Sequence, residues 1–194
     1  MTKVDVARLL AGDEAGTAWQ LYEQQFTVLN AHAVQRHLMK EAEFYYVCQD
    51  GNVEKWRLFD DHDQLVGLAT YTNVLESMPL ISPEYFAARY PEQYAAGQVW
   101  YCGFVCIANG ADSTTFLELI TRMYRQAAAR GGVISLDFCG FNNDLAQLVK
   151  VALTRLAGGP DSGFQAVRAD IQTYWVYVTP RDHLVNGAAQ GVRR

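Results

Sequence analysis

A single carboxylate inside an apolar run is the first residue here that could do chemistry. Asp137 sits within Val133–Phe141 (VISLDFCGF), a run apolar enough to read as a strand buried on both faces. A carboxylate in such a place must be paired or kept protonated. A carboxyl poised to take a proton near neutral pH is what general base catalysis needs. The competing reading is a structural carboxylate bonded to a tyrosine, an arginine or a backbone amide. Ser135 and Cys139 share its side of the run by alternation. Two tyrosines are the next candidates: Tyr101 inside Val99–Ile107 (VWYCGFVCI), and Tyr174 in the QTYW stretch of the last apolar run, Phe164–Val178. Each can offer a hydroxyl to the same site or simply pack across strands.

The remaining reactive types form no constellation. His32 and His37 lie five apart, which is not one helical face, while His62 falls in a turn and His183 near the C-terminus. No metal-ligand spacing and no Ser-His-Asp order occurs. The cysteines Cys48, Cys102, Cys106 and Cys139 follow neither a secreted framework nor a CxxC pattern. They read as reduced, buried thiols behaving as small hydrophobes.

These residues are positioned by an ordered run of elements. Val99–Ile107 has strand length, Asn109–Thr115 (NGADSTT) has loop and cap chemistry, and Phe116–Arg130 is amphipathic and stops at Gly131–Gly132. A second strand at Val133–Phe141, a helix at Leu145–Ala157 and a long final strand at Phe164–Val178 follow. Two strands joined by a helix of about four turns make a parallel crossover unit, and ligands favour the place where the first strand of such a unit gives way to its helix. Upstream, residues 5–10, 14–30 and 34–44 read as helices. Lys55–Asp60 and Gln64–Asn73 read as a hairpin around an Asp-containing turn. Pro83 and Pro91 bracket a short helix capped by Ser82, whose Tyr85, Phe86, Tyr90 and Tyr94 could wall a pocket or dock on the sheet.

Size and composition set outer bounds. The 194 residues, half of them hydrophobic and 19% charged, suit one domain over residues 1–180 with an aperiodic tail over 181–194. The net charge of −5 gives no basic field for nucleic acid or an anionic membrane. No apolar run approaches the roughly 18 residues of a membrane span, and the N-terminus lacks the pattern of a signal peptide. A cytoplasmic protein is expected.

The order of elements resembles the GNAT acyltransferase superfamily. Val66–Ala69 (VGLA) matches the Gly-containing strand of that family. Asn143–Ala146 (NDLA) matches its Asn-x-x-Ala helix opening, and Gly163–Phe164 matches the start of its last strands. The resemblance implies an α/β (α+β) fold: a mixed, mostly antiparallel sheet with a splayed parallel pair at its centre, flanked by helices. It implies acetyl-CoA or another acyl-CoA as co-substrate, with Val105, Cys106 and Ile107 along the donor arm. Ala111, Asp112, Ser113, Thr114, Thr115 and Asn143 would lie at its phosphates. It also implies Asp137 as base, with Tyr101 and Tyr174 lining the acceptor site, and a homodimer as a plausible assembly.

Two departures stand out. The family's Arg/Gln-x-x-Gly-x-Gly/Ala loop lets backbone amides at a helix N-terminus close on a pyrophosphate. Here only Gly110 remains, and Asp112 would cap those amides itself. The tyrosine that many relatives place on the next helix would fall near Val149 or Lys150, and no tyrosine is there. Even so, the resemblance implies an N-acyltransferase acting on a primary amine of a small molecule or peptide. A carrier-protein-dependent acyltransferase and a catalytically inactive binding or regulatory module are the alternatives.

Overall fold

A computed structural model describes residues 3–34, 38–79, 81–111 and 114–177. The chain runs β1 (Lys3–Ala7), α1 (Gly12–Asn30), α2 (Glu41–Gln49), β2 (Glu54–Phe59), β3 (Leu65–Thr72), α3 (Pro83–Arg89), α4 (Pro91–Ala95), β4 (Val99–Ile107), α5 (Thr115–Ala128), β5 (Val133–Leu136) and α6 (Asn143–Leu156). The five strands form one sheet in the order β1-β2-β3-β4-β5. The first three pairings are antiparallel and the last, β4 with β5, is parallel.

Several elements form for the reasons expected. Asp60 turns the β2–β3 hairpin by accepting the His62 and Gln64 amides, each at 2.9 Å. These bonds, that from Gln64 foremost, hold its carboxyl below the usual range. Ser82 accepts the Tyr85 amide and Pro83 opens α3, as the Ser-Pro pair requires. Others differ. Residues 3–7 form an edge strand, because Val4 and Val6 alternate and pair with Leu58 and Trp56 across a long sequence gap. The second helix begins at Glu41 rather than 34. Leu38 and Met39 reach the core from irregular chain instead, and the Met39 amide is tied to the Tyr22 hydroxyl at 3.0 Å. Residues 164–177 form neither helix nor strand. The long final strand is thus absent among the described residues.

The sheet divides two helical layers. On one face α1 and α2 bury Tyr22, Phe44 and Cys48 against Leu68, Phe104 and Cys106, with the Tyr22 ring 4.6 to 4.9 Å from Phe26, Phe44 and Phe104. On the other, Leu119, Ile120 and Met123 of α5 and Val149 and Leu153 of α6 cover Trp56, Tyr71, Trp100 and Cys102. The Tyr71 hydroxyl donates to the Met123 carbonyl, so the buried ring brings its own polar end into register with α5.

Lys55 is an exception to apolar burial. Its side chain is 1% exposed, and its ammonium donates to the Arg8 and Asp50 carbonyls at 2.8 and 2.7 Å. It thereby ties the β1–α1 and α2–β2 junctions together. Burial pulls it down to about 8, from an ordinary lysine near 10.4. Between those values the unfolded chain holds a proton that the native state has released, so stability rises with pH across that window. Urea denaturation of the wild type and Lys55→Met should therefore diverge in the wild type's favour from pH 8 upward, by about 1 kcal/mol at pH 9. Cys48, pushed up to about 11 by burial, lowers stability as pH rises through the thiol's unfolded value, but both proteins carry it and the difference between them is read against that common background. A pH-independent difference would show that Lys55 keeps its proton throughout.

Candidate functional site

The site is organised by one extra residue. Thr70 pairs with Phe104 and Tyr71 with Cys102, leaving Gly103 as a bulge in β4. Because the bulge inserts a single residue, alternation resets on either side of it. Tyr101, Phe104 and Cys106 then share the α1–α2 face, and Cys102, Val105 and Ile107 share the α5 face. Glycine is needed here for space. A Cβ at 103 would stand 2.8 Å from the Thr70 hydroxyl oxygen and 3.2 Å from the Met78 sulfur. That Thr70 oxygen accepts the Phe104 amide at 3.2 Å, which secures the backbone just past the bulge.

At the same level the two parallel strands part. β5 pairs with β4 only from Val99–Val133 to Cys102–Leu136, while β4 continues to Ile107. The gap is a slot of about 100 Å³, walled by Gly103 to Val105 on one side and Leu136 to Cys139 on the other. Phe26 and Leu29 of α1, Phe116 of α5 and Leu145 of α6 complete it. The His32 and Phe141 rings stack face to face, their centroids 4.4 Å apart and their planes nearly parallel, so the turn after α1 touches the turn before α6.

Asp137 lies just beyond the end of β5 and is exposed, not buried on both faces as its apolar surroundings imply. The strand stops at Leu136 because β4, its one partner among the described residues, has bulged away. Asp137 instead meets the other nominated residue: the Tyr101 hydroxyl donates to its Oδ1 at 2.6 Å. Tyr101 is 8% exposed, packed with Leu75, Phe86 and Val99. Burial first, and the adjacent Asp137 charge second, raise its phenol far above the ordinary tyrosine value. It is therefore a fixed donor at neutral pH. The arrangement presents a carboxylate to solvent at the slot's mouth, one oxygen anchored from below.

The other nominated residues are distributed as follows. Tyr174 lies in the exposed chain of 164–177, outside the sheet. Of the donor-arm residues, Val105 lines the slot, Ile107 packs toward α5, and Cys106 is buried against α1 and α2. Burial raises the Cys102 and Cys106 thiols well above the ordinary value, which makes them inert packing groups. Gly110 turns the β4–α5 loop at φ 81°, with the Ala111 amide bonded back to the Ala108 carbonyl. Asp112 and Ser113 lie outside the described residues. Thr114 caps α5 by position and Thr115 is buried. Asn143 is exposed at the start of α6, Val149 is buried and Lys150 is exposed. Gly103 and the His32–Phe141 stack had no signal of their own in the sequence. Among the described residues no group of metal-ligating side chains occurs, and no helix is long and apolar enough to cross a membrane.

Comparison with solved structures places this architecture. An aminoglycoside acetyltransferase from an uncultured soil metagenomic sample superposes with a TM-score of 0.52 at 12% identity, over 91% of this chain and 97% of its own. A probable acetyltransferase does so at 0.51 and 13%, over 92% and 99%. A variant of the BH1408 protein of Bacillus halodurans matches at 0.51 and 13%, over 91% and 99%. No family model matches the sequence, and no curated protein does. The chain has the GNAT-type acetyltransferase fold, with a mixed five-strand sheet and one parallel pair.

Gly103→Ala should cost about 1–3 kcal/mol of stability in urea denaturation, because the new Cβ displaces the hydroxyl that holds the Phe104 amide. A loss below about 0.5 kcal/mol would mean that Thr70 and Met78 yield freely.

Proposed function

We propose that this protein is an N-acyltransferase that moves a short acyl group from acyl-CoA to a primary amine of a small molecule or peptide. The observation that carries the reading is the Tyr101–Asp137 pair at the mouth of the slot where β4 and β5 separate. Its setting in an acetyltransferase fold supports the reaction class.

The chemistry follows from the placement. A thioester entering the apolar slot would lie along Val105 with its carbonyl near the bulge. Amides of β4 beyond Cys102 that face the gap have lost their β5 partner, and they are the donors for a developing oxyanion. The amine nitrogen attacks the carbonyl carbon, and Asp137 accepts the ammonium proton through the oxygen that Tyr101 leaves open. The C–S bond then breaks and the thiolate departs, taking a proton from solvent. Tyr101 is a positioning residue: it fixes the carboxylate and, with its raised ionisation, stays a donor throughout. A slot of about 100 Å³ falls well below the roughly 300–1,000 Å³ of ordinary ligand pockets, which favours acetyl over long chains.

The diphosphate end of the donor has less to hold it. Between β4 and α5 the described loop offers Gly110, Ala111 and Thr114, and one glycine does not make the usual cradle. That observation favours the second reading, in which a carrier protein presents the thioester and no free nucleotide needs to be gripped.

Acetyl-CoA at one hundred times its Kd should raise Tm by about 5–10 °C. No shift with CoA or acetyl-CoA, together with acyl transfer from a loaded carrier protein, would replace the donor. Silence with both would leave a binding module. Asp137→Asn should lower kcat about 100-fold or more with Tm nearly unchanged, since the carboxylate is exposed. Tyr101→Phe should lower kcat less, since it removes the hydroxyl that positions the carboxylate and leaves the carboxylate itself in place. An Asp137→Asn variant with full activity would remove the base from the mechanism.

A further inference from the structure

A cavity larger than the slot, of about 230 Å³, lies between the turn that follows β3 and the turn that follows α4. Two side chains shape those turns. The Thr72 hydroxyl accepts the Val74 amide at 2.9 Å. The Asn73 side-chain nitrogen donates to the Gly97 carbonyl at 2.8 Å, where the backbone turns at φ 63°. Leu75 and Val99, both almost sealed from water, line the cavity with apolar surface. Glu76 and Tyr94 give it a polar wall, and the Tyr94 hydroxyl donates to Glu76 Oε1 at 3.1 Å. That bond first, then partial loss of water and the charges of Glu76 and Glu84, raise the Tyr94 phenol above its ordinary value. It therefore keeps its proton at neutral pH and holds the carboxylate in place. Among the described residues no lysine, arginine or histidine pairs with Glu76.

We propose that this cavity binds a small organic cation, a primary alkylammonium whose charge pairs with Glu76 and whose chain lies on Leu75 and Val99. Each part of such a ligand finds a partner. An ammonium carries donors and no acceptor. The Glu76 carboxylate and the Asn73 carbonyl oxygen, left over once its nitrogen is bonded to Gly97, both accept. Residues 73–97 hold three glutamates against one arginine, so the local field attracts a cation and repels an anion. The volume falls just short of ordinary ligand pockets, which suits a chain of about five carbons and excludes a folded partner. The position differs from that of an amine awaiting transfer. Val99 pairs with Val133, which precedes Asp137 by roughly 13 Å of strand. Leu75 and Val99 also pack with Tyr101, so the apolar lining of the cavity is continuous with the core behind the Tyr101–Asp137 pair. The site does not depend on the acyl-transfer reading.

Titration of the isotope-labelled full chain with n-pentylammonium, read by amide chemical shifts and without any acyl donor, tests the site. Saturable shifts should appear over Asn73–Glu76, Gly97 and Val99, with the millimolar Kd usual for so small a ligand. Pentanol has the chain without the charge, and methylammonium the charge without the chain. Each should bind at least tenfold more weakly. Glu76→Gln should weaken pentylammonium at least tenfold and Tyr94→Phe by less, whereas Asp137→Asn should leave its affinity unchanged. Shifts that never saturate, or that spread evenly over the surface carboxylates, overturn the proposal. Shifts confined to residues 136–139 overturn it too, since they mark the acceptor position instead. Pentanol binding as well as the amine, or Glu76→Gln binding like the wild type, has the same consequence. With no acyl donor in the experiment, any of these failures leaves the acyl-transfer reading untouched.

Discussion

The extra residue at Gly103 is the constraint from which the site follows. A regular β4 would keep both neighbours to its end, and the sheet would have no gap. With one residue inserted, the strand bends at the level where β5 loses contact, and a slot opens between two strands that are paired up to Cys102 and Leu136, immediately before it. The bulge survives because its neighbours are built around a missing side chain: Thr70 and Met78 occupy the space, and the Thr70 hydroxyl takes over the Phe104 amide. The single-residue insertion also leaves the facing of β4 intact. Tyr101 below and Phe104 above remain on one side, so the polar pair and the apolar wall that closes over it are set by the same irregularity.

The two helical layers then play unequal parts. α5 and α6 supply the larger apolar mass, with Leu119, Ile120 and Met123 wholly buried, and they hold the parallel pair together where it is paired. α1 supplies Phe26 and Leu29 to the slot, and the turn after it stacks His32 on Phe141. Loops and helix ends make up the mouth, as is usual where a rigid scaffold presents function.

Much of this was legible in the sequence, and the failures share one cause. Elements defined by local chemistry came through: β4 from its apolar run, the β2–β3 hairpin from Asp60, and the helix at Pro83 from its Ser-Pro cap. Elements defined by distant partners did not. Residues 3–7 are a strand only because β2 lies alongside, and residues 164–177, with an equally strand-like composition, join no strand pairing among the described residues. Asp137 shows the same limit in a finer form. Its apolar neighbours implied burial, but burial depends on where β5 loses β4, which depends in turn on Gly103. Tyr101 and Asp137 could each be singled out from residue type and surroundings. That one would hold the other could not, because the bond joins two strands through the twist and register of the sheet.

The weak phosphate loop and the well-formed polar pair are compatible once the demands on each are separated. A glycine-rich loop contributes affinity for the whole donor and acts equally on ground and transition states. In the proposed reaction the carboxylate and the backbone donors at the bulge would act where charge changes, and only such interactions accelerate the chemical step. A chain can therefore lose grip on a nucleotide while keeping the groups that matter to transfer, provided another feature seats the thioester. In the proposed reading the slot is that feature: narrow, aromatic-walled by Phe26, Phe104, Phe116 and Phe138, and open at the level of Asp137. Affinity drawn from apolar burial along a thin arm needs no diphosphate cradle, and it would make such a donor site sensitive to the length of the acyl chain rather than to salt.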